Sequence, residues 1–182
     1  MKHTDVTFYE IYLLLRPHRD AGPLVTTPEA AQKYYHNSAH IWERQMLTRA
    51  RVITGPQTLT STWSNLQTDL LYETPLTPSQ GSELWEMRQR IEKERDIVSP
   101  AQRAFKTGAG GIIDFEFLVQ IQQLTHGSKH TTIRSQGTRK SLKSLVIEGF
   151  IPVETGIILA ENYDFLKQIE VHLRRYVNKG IS

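Results

Sequence analysis

A chain of 182 residues, 38% hydrophobic and 23% charged, is large enough for one folded core, or one domain with a fragment of a second, and its composition is globular rather than disordered. The 22 basic and 19 acidic residues leave a net charge of +3, which permits contact with phosphates but falls far short of a nucleic-acid-binding footprint. There is no cysteine, no apolar run near the ~20 residues that span a bilayer, and no apolar signal core behind Met-Lys-His-Thr-Asp; thiolate chemistry and a membrane span are excluded and a cytoplasmic protein is expected.

Residues 6–15, Val-Thr-Phe-Tyr-Glu-Ile-Tyr-Leu-Leu-Leu, read as a buried strand bounded by Arg16-Pro17, and Leu24-Val25-Thr26 as a short return strand. Two strands cannot stand alone, so they must pack on helices or belong to a larger sheet. Thr27-Pro28-Glu29 supplies a cap, a first-turn proline and an early acid, and opens a helix predicted to run to about Ile53. Its buried face steps through Ala31, Tyr35, Ala39, Trp42, Met46, Arg49 or Ala50, and Ile53. Gly55-Pro56 ends it. A weaker helix over 57–72 carries Trp63, Leu66, Leu70 and Leu71, and Pro75 to Gly81 breaks the chain again.

Ser82 to about Asp96 is strongly helical, with Leu84, Met87 and Ile91 on one side and Glu86, Arg90 and Glu92 on a solvated face. A linker over 97–109 delivers Lys106 to a glycine cluster, Gly108, Gly110 and Gly111. Such a cluster lets the chain turn sharply. From Ile112 the apolar residues crowd all round, as in a buried helix, while Glu116, Gln120 and Gln123 repeat at i, i+4, i+7 as one polar stripe. Polar groups in such a place need partners. Either the stripe is the polar edge of a core helix, or the helix carries carboxylates to a nucleotide or metal site. If 110–116 were extended, Asp114 and Glu116 could share a cation; if helical, only one of them faces any given site.

A polar loop over 128–137 leads to a short helix over 138–148, closed by Gly149. Pro152 opens the last helix, which reaches Lys179 with Ile158, Phe165, Ile169, Leu173 and Tyr176 inward. The expected fold is mainly α: a bundle of about six helices with a two-strand remnant at its N-terminus. His36 and His40 are spaced to share a zinc ion, but no third ligand is evident, so no metal site is assigned.

Three blocks together resemble one family. Tyr9-Glu-Ile-Tyr-Leu-Leu-Leu-Arg-Pro17 with Gly22-Pro-Leu-Val25 looks like the strand-turn-strand of glutamine synthetase adenylyltransferases. Tyr34-Tyr35 with Trp42-Glu-Arg-Gln-Met-Leu-Thr-Arg-Ala-Arg51 resembles that family's next helix, and Gly108-Ala-Gly-Gly-Ile-Ile-Asp-Phe-Glu-Phe-Leu-Val-Gln120 its glycine-rich helix start. Order and spacing agree over about residues 8 to 177. Gly22-Pro-Leu and Trp42-Glu-Arg lean toward the deadenylylating half of such enzymes; Arg49-Ala-Arg-Val and Ile113-Asp-Phe-Glu lean toward the adenylylating half.

The resemblance implies a nucleotidyltransferase domain, here its C-terminal strands over 1–27, followed by a helical domain over 28–182. It implies transfer of AMP from ATP to a tyrosine of glutamine synthetase, or its phosphorolytic removal, with magnesium on the phosphates and control by a PII-type signal protein. Arg16, Arg44, Arg49 and Arg51 match basic positions of the family, suited to phosphate, and Asp114 and Glu116 match its carboxylates after the glycines. Asp114 and Glu116 either touch the nucleotide or pair with the arginines of the first long helix. The family's paired aspartates would lie upstream of residue 6, and its next acid falls on Tyr12, whose protonated phenol cannot hold magnesium. The chain is therefore expected to lack AMP transfer by itself. The alternative expectation is a helical interaction module for glutamine synthetase, a PII-type regulator or a catalytic partner chain.

Overall fold

The computed structural model describes residues 22–23, 25–95 and 104–179. Among the described residues the chain is helical: α1 (Pro28–Asn37), α2 (Ile41–Leu47), α3 (Gln57–Tyr72), α4 (Pro78–Arg95), α5 (Ile112–His126), a 3-10 turn (Thr131–Ile133), α6 (Thr138–Ile147) and α7 (Val153–Lys179). That is seven α-helices where about six were expected. The strand expected over 6–15 lies outside the described residues. Val25 and Thr26, expected in the return strand, have no strand structure.

The extra helix comes from a break in the segment expected to be continuous from 28 to 53. Thr27 caps α1 by accepting the Ala30 N–H at 3.2 Å. The helix closes when the Ser38 and Ala39 N–H groups both reach back to Tyr34 O. The next helix is then started by Glu43, whose Oε2 accepts the His40 N–H at 2.9 Å while Oε1 accepts Tyr34 O–H at 2.7 Å. This reach of an N3 acid back to the cap residue is half of a capping box. Glu43 is buried and its two bonds satisfy it. The helix α2 ends at Leu47, so Ile53 is exposed rather than part of a buried face. Pro78 begins α4, and Gly81 lies inside its first turn instead of outside the helix.

Helix α5 is the shared wall. It contacts α2, α4, α6 and α7 and contributes to three apolar clusters. Leu124 joins Ala31, Leu47, Leu66, Leu70, Leu71 and Leu84. Val119 joins Ile133, Leu142, Leu145, Ile151 and Ala160. Ile112 and Phe115 pack on Tyr163. A helix so placed is apolar on nearly all sides, as its sequence is.

The face of α7 is rotated from expectation. Gly156, Ala160, Tyr163 and Glu170 are the buried residues, and Ile158, Phe165, Leu173 and Tyr176 are exposed. Gly156 decides the rotation: a Cβ there would lie 2.2 Å from Val146 Cγ2, so only glycine lets α7 come this close to α6. A count of apolar residues alone favours the bulkier stripe. No helix among the described residues is long and apolar enough to cross a membrane.

Candidate functional site

The glycine cluster is a closed turn that hands the chain into α5. Gly110 takes φ +72°, a region that favours glycine. A Cβ on Gly111 would stand 2.8 Å from the carbonyl oxygens of Gly108 and Phe105, and one on Gly108 would stand 2.9 Å from Ala104 O. The turn's amides are engaged internally. Gly111 N–H goes to Gly108 O, Ile112 N–H to Phe105 O and Ile113 N–H to Lys106 O. Gly110 N–H donates to Asp114 Oδ2 at 2.6 Å. These donors are not left open for a phosphate, as they would be in a phosphate-cradling loop.

Asp114 is held from the other side by Arg88 of α4. Arg88 Nε donates to Asp114 Oδ1, and Nη2 donates to Gly108 O at 3.0 Å. Glu92, one turn further along α4, lies 3.3 Å from Arg88 Nη1. The Arg88 side chain is 1% exposed, so its charge depends on these partners. Asp114 was expected either at a nucleotide or paired with an arginine of the first long helix, and it is instead bound to α4. Arg88 is not among the residues that the charge pattern of its helix singles out. Its signal is visible in retrospect: Leu84, Arg88 and Ile91 share one helical face, so the arginine lies inside the apolar stripe.

Glu116 points to a second junction. Its carboxylate lies 3.6 Å from Arg49 Nη2, just beyond α2, and Arg49 Nη1 donates to Thr138 Oγ1 at the start of α6. The segment carrying Arg49 and Arg51 is fixed from below. Gln67 of α3 donates to Leu47 O and Ala50 O at 2.7 and 2.9 Å, and Gln136 donates to the same Ala50 O at 2.8 Å. Arg49 and Arg51 are exposed on this pinned segment. Arg44 points elsewhere: its Nη2 donates to Leu71 O at 2.8 Å and to Thr74 O, at the carboxyl end of α3, and burial pulls its pKa down. Cations suit the last carbonyls of a helix. Arg16 lies outside the described residues.

The polar stripe of α5 is partnered throughout. Gln120 Oε1 accepts Gln45 Nε2 at 2.8 Å. Gln123 Nε2 lies within 2.9 Å of Ile133 O, Ser135 O and Ser141 Oγ. Lys106, behind the glycine turn, lies 3.8 Å from buried Glu170 of α7. Hydrogen bonding from Lys167 is the main cause that lowers the Glu170 pKa, helped by the charges of Lys167, Arg174 and Lys106.

A divalent cation implied by the resemblance does not fit these residues. Asp114 and Glu116 sit on α5, two residues apart and therefore on different sides, which excludes the shared-cation geometry. His36 ends α1 and His40 precedes α2. No group of three His, Asp or Glu residues among the described residues could hold a metal ion.

Two family descriptions match successive parts of the chain. Residues 2–65 match the family described as glutamate-ammonia ligase adenylyltransferase, and residues 82–179, more than half the chain, match that described as GlnD PII-uridylyltransferase. A bifunctional glutamine synthetase adenylyltransferase/adenylyl-removing enzyme of Corynebacterium efficiens is 34% identical over 173 residues, 92% of this chain and 16% of the relative. This chain belongs to the glutamine synthetase adenylyltransferase family. The bifunctional enzyme of Pseudomonas putida is 32% identical over 166 residues, and that of Mycobacterium marinum 30% over 177. The chain spans about a sixth of the length of these relatives, 16% to 17%. The match to the uridylyltransferase family begins within α4, so Arg88, the glycine turn and α5 to α7 fall in the region common to both kinds of enzyme.

Proposed function

We propose that this chain is the helical segment that follows the nucleotidyltransferase domain in one half of a glutamine synthetase adenylyltransferase, with residues 1–27 as the end of that domain. The relatives carry the name of an enzyme that adenylylates and deadenylylates glutamine synthetase. The observation that carries the reading is the pinned segment after α2. Arg49 and Arg51 are exposed on backbone that Gln67 and Gln136 hold fixed. Guanidiniums on rigid backbone suit the phosphates of ATP, because a preorganised planar donor loses little freedom on binding.

In this reading Arg49, Arg51 and Arg16 are the cations that serve the phosphates. Arg44, Asp114 and Glu116 hold helices together, and magnesium is not carried by the helical segment. Phosphoryl chemistry depends mainly on placement and charge neutralisation, so a wall of fixed cations is a functional part even without the metal-bearing acids.

Titration of ATP into the chain by calorimetry, with and without magnesium, tests this. Binding is expected to be independent of the metal, to be lost with adenosine in place of ATP, and to weaken about tenfold in Arg51→Ala. Binding that requires magnesium would overturn the assignment of Asp114 and Glu116. A second reading, an interaction module for glutamine synthetase or a PII-type regulator, is favoured by exposed Ile147, Val153 and Ile157 beside Lys143 and Glu161. Capture of either protein without nucleotide would support it over the first.

A further inference from the structure

Ile158, Asn162, Phe165, Ile169, His172 and Tyr176 follow one another on α7 at steps of four, three, four, three and four. These are the a and d positions of a heptad repeat. The stripe lies roughly a third of a turn round α7 from the residues packed against α5 and α6. Ile158 is 59% exposed, Phe165 61% and Tyr176 79%; Asn162 and His172 are exposed as well. An apolar seam about 27 Å long, at 1.5 Å per residue, therefore stands open on one side of the molecule.

We infer that this face of α7 binds a second copy of the same chain, with the two helices antiparallel. The register follows from the residues. Antiparallel packing sets a positions of one helix against d positions of the other, and a centre near Lys167 pairs Ile158 with the partner copy's residue 176 and Phe165 with residue 169. It also brings Asn162 opposite residue 172, a histidine in each copy. Two apolar layers thus flank one polar layer on each side of the dyad, and a polar layer fixes register at some cost in stability.

The flanking charges agree with this direction and oppose the other. Glu161, Gln168 and Arg175 occupy the g positions and are exposed. In an antiparallel pair g faces g, so Glu161 of each copy meets the arginine at 175 of the other, twice by symmetry, and the two glutamines at 168 meet each other. In a parallel pair g faces e, where this helix has Leu159, Leu166 and Leu173, and neither charge finds an opposite. Complementary flanks select orientation. The seam is under three heptads long, which places the contact at the weak, reversible end of specific interfaces.

Sedimentation equilibrium of the 182-residue chain over about 1 to 200 μM tests the inference. A reversible monomer–dimer equilibrium is expected. Phe165→Asp should weaken it by about tenfold or more with the circular dichroism of the helices unchanged. Glu161→Arg and Arg175→Glu should each weaken it, and the double swap should restore it. Because the chain has no cysteine, Gln168→Cys reports direction directly: mild oxidation should give a covalent dimer. A chain that stays monomeric throughout, its seam awaiting some other covering, would overturn the inference. A dimer insensitive to Phe165→Asp, or a double swap that does not restore association, would do the same.

Discussion

Arg88 and Asp114 are joined across 26 residues of sequence, and the pair fastens α4 to the glycine turn at the start of α5. Arg88 also donates to Gly108 O while Asp114 accepts from Gly110, so two charges and two loop groups form one closed unit. Removing one partner of a buried pair leaves the other charge uncompensated. Arg88→Ala should cost about 3 kcal/mol in urea unfolding. Asp114→Asn keeps an acceptor for Gly110 and should cost less, about 2 kcal/mol. Equal, negligible effects in both would show that the pair does not hold the turn.

The glycine turn separates two reasons for a glycine. Gly110→Ala meets no atom within 4 Å and is strained only through its φ of +72°. That should cost about 1 kcal/mol. Gly111→Ala must push back two carbonyl oxygens at 2.8 Å and should cost more, about 3 kcal/mol by analogy with overpacked cores. Thermal unfolding of the two variants side by side gives the order, and the reverse order would refute the geometry of the turn.

Gln123 of α5 should matter through its hydrogen bonds rather than through its bulk. Gln123→Leu keeps the volume but strands the carbonyl of Ile133 and leaves that of Ser135 with Ser141 Oγ alone, at about 2 kcal/mol. Hydrogen exchange is the sharper readout. Amides of the 3-10 turn and the first turn of α6 should lose protection, while those of α3 keep theirs.

Two groups, His126 at the end of α5 and Glu148 at the end of α6, make stability fall in acid in separate steps. Burial, and secondarily the neighbouring charge of His130, lower the pKa of His126, whose ring stacks on Phe150 at 4.0 Å. The folded state therefore binds fewer protons at His126 than the unfolded chain. Stability is full above 6.5 and declines as pH falls from there toward the lowered native value. Glu148 is lowered mainly by its hydrogen bond from Thr132 and then by that from His130. Its contribution is present above 4.5 and is lost as pH falls through the native value. Melting temperatures from pH 7.5 down should show an early decline that His126→Gln flattens and a later one that Glu148→Gln flattens.

Much of the helical plan was legible because it rests on local signals. Thr27-Pro28, Gly149 and the apolar crowding after Ile112 each mark a boundary that the structure keeps. What escaped depended on contacts distant in sequence. Glu43 starts a new helix where apolar spacing ran on undisturbed, and the buried face of α7 is chosen by the fit of Gly156 on Val146. Site residues divided in the same way. The paired need of the α5 stripe could be read from its sequence, but not that Asp114 would find Arg88 rather than an arginine of the first helices. Periodicity names a face, while only packing names its neighbour.

The buried glutamines have one more effect. A wholly apolar helix among four others can rotate about its axis by a few tens of degrees and still bury similar area, because apolar contacts have no direction. Gln120 against Gln45 and Gln123 against the carbonyls beyond it remove that freedom, since amide hydrogen bonds survive at one angle only. They work as a keyway on a shaft. With α5 locked at that angle, Asp114 falls to one side and Glu116 to the other, so the direction in which each carboxylate acts is settled by two uncharged side chains deep in the core.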